Sequence, residues 1–126
     1  MKQPKLLLID DSDSARDTMQ QLLGNENFNV ISPETVSEAW GQIATEEFDV
    51  IVADLDMELP ESGVRMVATM RQCQPQAMIV GMSDHLSASE AAMAVRLRVD
   101  FIVKEFDAKE VARLVQSEPG ASGSSG

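Results

Sequence analysis

The chain has 126 residues, 44% hydrophobic and 25% charged, which suits one compact soluble domain with a core of useful size. Its 21 acidic against 10 basic residues give a net charge of −11, a surface that repels nucleic acid and anionic lipid and argues against direct DNA binding. No apolar run approaches the roughly 20 residues of a membrane helix, no signal-peptide pattern opens the chain, and a single cysteine, Cys73, excludes an internal disulfide; a cytoplasmic protein is expected.

The first apolar run, Leu6 to Ile9, ends at Asp10 and Asp11. Ser14 to Leu23 follows with Ala15, Thr18, Met19, Leu22 and Leu23 on one helical face and Gly24 as an expected stop. Phe28 to Ile31 is a shorter apolar run. Thr35 to Ala44 then carries Val36, Ala39, Trp40 and Ile43 at helical spacing. Val50 to Ala53 is the third run and ends at Asp54. Ser62 to Cys73 reads as a helix through Val64, Val67, Ala68 and Met70, with Pro75 just beyond. Ala77 to Met82 ends at Ser83, and Ser87 with Glu90 three residues later has the pattern of a capping box. Phe101 to Val103 ends at Lys104, and Asp107 with Glu110 is expected to cap a last helix bearing Val111, Leu114 and Val115.

Apolar runs without alternation suit strands buried on both faces. Their regular alternation with helices predicts an α/β fold, a doubly wound parallel sheet of five strands with helices on both faces. The folded domain is expected over residues 1–117, and the Ser/Gly-rich stretch 118–126 reads as a disordered linker or non-native tail. In such folds ligands bind beyond the carboxyl ends of the strands. Four of the five runs end there in a charged or hydroxyl residue: Asp10-Asp11, Asp54, Ser83 and Lys104. Three converging carboxylates repel one another, and a hard divalent cation such as Mg²⁺ with oxygen ligands offsets that repulsion. Lys104 adds a positive charge and Ser83 a hydroxyl donor. A metal, a lysine and a hydroxyl around an aspartate suit phosphoryl transfer, with Asp54 the best-placed nucleophile.

Leu-Ile-Asp10-Asp11-Ser, Val-Ile-Val-Ala-Asp54, Val-Gly-Met-Ser83 and Phe101-Ile-Val-Lys104 resemble, in order, the four signature segments of response-regulator receiver domains of two-component systems. The resemblance covers about residues 5–117. It implies a flavodoxin-like sheet of order 2-1-3-4-5. It further implies Asp10 and Asp11 as Mg²⁺ ligands, Asp54 as the phosphoacceptor and a third metal ligand, and the backbone carbonyl of Asp56 completing the metal shell. Ser83 corresponds to the switch hydroxyl, Phe101 to the switch aromatic and Lys104 to the phosphoryl-binding lysine. The implied partners are a histidine kinase or histidine phosphotransfer protein and a downstream effector, which would read the fourth helix, fifth strand and fifth helix.

The chain departs from the family pattern at Glu105, where proline is usual, at Asp84, where a small residue is usual, and at Leu97-Arg98, in place of a glycine-alanine pair. The loop after Asp54 is one residue longer than the commonest form. The Asp56 side chain is expected to face solvent, where its charge would alter phosphate lifetime, and His85 is expected to be an exposed loop residue. Two other functions compete. A haloacid-dehalogenase-type phosphatase would use Asp54-Leu-Asp56 as its nucleophile motif, but its acidic pair should follow the lysine instead of preceding it. A degenerate receiver would keep the fold and bind proteins without phosphate.

Overall fold

The computed structural model describes residues 3–56, 63–84, 87–103 and 108–117. The elements run β1 (Lys5–Ile9), α1 (Asp13–Asn25), β2 (Asn29–Ile31), α2 (Val36–Thr45), β3 (Val50–Asp54), α3 (Gly63–Cys73), β4 (Met78–Ser83), α4 (Ala88–Leu97), β5 (Val99–Val103) and α5 (Ala108–Ser117). All pairings are parallel and the sheet order is β2-β1-β3-β4-β5, as expected.

Strand residues alternate between two cores, which is why the apolar runs are continuous. Leu7, Ile9, Ile51, Ala53 and Ile79 face Ala39 and Ile43 of α2, Met66, Val67 and Met70 of α3, and Ala94 of α4. Leu6, Leu8, Val50, Val52, Val80, Met82 and Ile102 face Leu23 of α1 and Val111, Ala112 and Val115 of α5. Trp40 packs at the edge of the first core, as its helical spacing predicts.

Two helix ends add to the sequence reading and one, at Gly24, corrects it. Ser12, in extended conformation, caps α1 by accepting from the Ala15 N–H at 3.3 Å. Gly24 does not stop α1, since the helix continues to Asn25 and the chain turns at Asn27, whose φ is 72°. Arg98, the second residue of the pair that replaces the family's glycine-alanine, ends α4 in the left-handed region at φ 59°. The Arg71 guanidinium holds this turn, donating to the Leu97 carbonyl at 3.0 Å and the Arg98 carbonyl at 2.9 Å. The capping box at Ser87 and Glu90 forms as read. The Asp107 cap and the exposed position of His85 fall outside the described residues.

Four strands also extend beyond their apolar runs, β1 back to Lys5 and β3 on to Asp54 among them. β4 includes Ser83, and β5 begins at Val99, taking in Asp100 opposite Val80. Asp100 is half-buried, and desolvation pushes its carboxyl up from the ordinary value of 3.8. No helix among the described residues is long and apolar enough to cross a membrane.

Candidate functional site

The parallel registers bring the carboxyl ends of β1, β3 and β4 to one edge. Ile9 lies beside Ala53, so Asp10 and Asp54 emerge side by side; Asp54 lies beside Met82, so Ser83 follows one residue beyond. Asp10, Asp54 and Ser83 are buried, whereas Asp11 is exposed. One carboxylate oxygen from each of Asp10, Asp11 and Asp54 lies within 4.8 Å of the others. Such an all-oxygen, anionic set fits a hard divalent cation held by few protein ligands, as Mg²⁺ prefers, and the exposed side at Asp11 leaves room for water.

The surrounding bonds fix these side chains. Asp10 Oδ1 accepts from the Ser12 N–H at 3.0 Å, and the Asp10 carbonyl accepts from Arg16 Nη1 at 2.9 Å. Arg16 is only 6% exposed, and its other terminal nitrogen pairs with Asp13. Buried arginine this close to the acidic cluster supplies compensating charge. Asp54 Oδ1 accepts from the Asp56 N–H at 2.9 Å, and the Leu55 N–H donates to the Met82 carbonyl at 2.8 Å. The chain therefore turns tightly over the end of β4 directly after Asp54.

That turn corrects the expectation for Asp56. The residue is exposed, but its carboxylate does not simply face solvent: Oδ1 accepts from Ser83 Oγ at 3.0 Å and Oδ2 from the Asp84 N–H at 2.8 Å. The tight turn brings the side chain back onto β4, where two donors meet it.

Phe101 is half-buried and packs against the α2/α3/α4 core. Gly81, opposite Phe101 in the β4–β5 register, makes room for it. A Cβ there would lie 2.7 Å from Leu55 Cδ1 and 3.0 Å from Phe101 Cε1. Leu55, next to Asp54, thus shares one tight space with Phe101, and a side chain at position 81 would have to displace one of them. Sequence reading missed Gly81 and Arg16. A lone glycine inside an apolar strand is the signal that could have found the first. Lys104, Glu105 and the loop 57–62 lie outside the described residues.

The family model of the response regulator receiver domain matches residues 6–116. The chain belongs to that family. Receivers with this fold include a CheY-like receiver domain protein from Methanospirillum hungatei, 17% identical with a TM-score of 0.80, covering 91% of this chain and 92% of that one. A second is a response regulator protein from Burkholderia pseudomallei with a phosphorylated aspartic acid, calcium ion and citrate; it is 24% identical with a TM-score of 0.78, covering 95% of this chain and 69% of that one.

Among curated relatives, the response regulator protein PilR of Pseudomonas aeruginosa is 30% identical over 91% of this chain and 26% of its own length. The DNA-binding transcriptional regulator NtrC of Azospirillum brasilense is 26% identical over 92% of this chain and 24% of its own length. The chain therefore spans about a quarter of the length of these relatives. The family match takes in Asp54, Asp56 and Ser83, the residues the phosphatase reading relied on, and assigns them to a receiver domain.

Proposed function

We propose that this receiver accepts a phosphoryl group on Asp54 from a histidine kinase or histidine phosphotransfer protein, in a Mg²⁺-dependent step. The observation that carries the reading is the approach of the Asp10, Asp11 and Asp54 carboxylates to within 4.8 Å at the sheet edge. The donor set fits the metal, with Asp10, Asp11, Asp54 and the Asp56 carbonyl as its protein ligands. When bound, Mg²⁺ supplies charge neutralisation for the phosphoryl oxygens.

The chain's own groups do the remaining work. An Asp54 carboxylate oxygen attacks the phosphorus of a phosphohistidine, the P–O bond forms as the P–N bond breaks, and the imidazole leaves. Lys104 pairs with one phosphoryl oxygen and Ser83 Oγ donates to another. Phosphorylation then biases Ser83, Phe101 and the α4–β5–α5 surface toward an effector domain or protein. The domain's catalysis is confined to its own phosphorylation and dephosphorylation, and the cytoplasm is the expected compartment. The phosphorylated aspartic acid and calcium ion in the Burkholderia relative support the same chemistry here.

Incubation with Mg²⁺ and acetyl phosphate tests the reading. Wild type should gain one phosphoryl group and Asp54→Asn none. An unmodified wild type would instead favour a phosphate-independent binding module, and turnover of a generic phosphomonoester would contradict a receiver.

A further inference from the structure

We propose that the Asp56 carboxylate is a built-in competitor of the incoming phosphoryl group, holding the two donors at the end of β4 that an anionic oxygen beside Asp54 would need. This rests on Asp54 being the acceptor. The geometry is specific: among the described residues, Asp56 Oδ1 accepts from Ser83 Oγ at 3.0 Å and Oδ2 from the Asp84 N–H at 2.8 Å. The side chain is aimed there by its own backbone, whose N–H donates to Asp54 Oδ1 at 2.9 Å. Asp56 thus spans from the acceptor to the two donors within one turn.

Exclusion follows from the donor inventory. A serine hydroxyl has one proton and a backbone amide has one, so neither can serve a phosphoryl oxygen fully while it serves a carboxylate. Both existing bonds have a charged acceptor and are of the stronger kind. A phosphoryl oxygen offers the same chemistry, anionic and acceptor-only. Loading of Asp54 therefore requires Asp56 to release the donors first. The apparent affinity for the loaded state falls by the fraction of chains in which they are released. Ser83 is buried, which leaves water little access to replace the lost bond.

The test is a titration with beryllofluoride at saturating Mg²⁺, following amide resonances of wild type, Asp56→Asn and Asp56→Ala, each also with Ser83→Ala. The Asp84 amide should shift in Asp56→Ala before any ligand is added. Beryllofluoride affinity should rise by about tenfold or more in Asp56→Ala, with Asp56→Asn between the two. In the Ser83→Ala background the gain from Asp56→Ala should shrink, because one contested donor is already gone. Equal or weaker affinity in Asp56→Ala overturns the proposal. An undiminished gain in the Ser83→Ala background also overturns it, since removal of negative charge alone would then explain the effect. If no variant binds beryllofluoride, the acceptor role of Asp54 fails and the competitor with it; if all bind alike, only the competitor fails.

Discussion

Single residues carry most of the chemistry at the sheet edge, and several make separable predictions. Gly81 admits Leu55 and Phe101 to the same space, with a hypothetical Cβ only 2.7 Å from Leu55 Cδ1. Gly81→Ala should destabilise by about 1–3 kcal/mol in urea unfolding through overpacking. It should also shift the Phe101 ring resonances; unchanged stability and ring shifts would contradict the shared space. Asp100 gives a pH prediction. Its folded-state pKa is raised by desolvation, so its stabilising contribution is fully present below the ordinary value of 3.8 and is lost as pH rises through the raised one. Asp100→Asn should therefore stabilise the fold at neutral pH and show little gain in acid, as thermal unfolding at the two pH values would record. Asp10, Asp54 and Ser83 were legible in the sequence because each ends an apolar run abruptly, and a parallel sheet brings such ends together. The grip of Asp56 on Ser83 was not, because it depends on the turn at residues 55 and 56 folding the side chain back over β4. Arg16 escaped for a different reason: arginine is rarely buried, and nothing in the helical pattern marks this one as lying under the Asp10 carbonyl.

Among the elements, the central strands and the capped helices follow directly from the pattern, and the deviations have local causes. β5 is longer than its apolar run because Asp100 interrupts the pattern without interrupting the ladder. α1 outruns Gly24 because a glycine in a helix only costs stability, whereas the positive φ of Asn27 turns the chain. The end of α4 is the most exposed to test. Arg98 occupies left-handed backbone that glycine would adopt without strain, and Arg71 braces the turn through the Leu97 and Arg98 carbonyls. Arg98→Gly should stabilise by roughly 0.5–1 kcal/mol, the relief of left-handed strain less the added freedom of the unfolded chain. Denaturant midpoints of the two proteins would measure it, and a loss of stability would show that the arginine side chain outweighs its backbone cost.

The whole molecule combines a net charge of −11 with three carboxylates gathered at one edge, so its stability is expected to respond to divalent cations. Free Mg²⁺ at about a hundredfold above its dissociation constant should stabilise by about 2.7 kcal/mol, since the unfolded chain has no such site. A chelator should remove the gain, and Asp11→Asn should lose most of it. An acyl phosphate on Asp54 can be trapped chemically. Acyl phosphates are reduced by borohydride to the corresponding alcohol, so treatment after acetyl phosphate and Mg²⁺ marks the modified aspartate for peptide mass mapping. Homoserine is expected at position 54 and nowhere else; a mark at another carboxylate, or none at position 54, would rule out Asp54 as the acceptor.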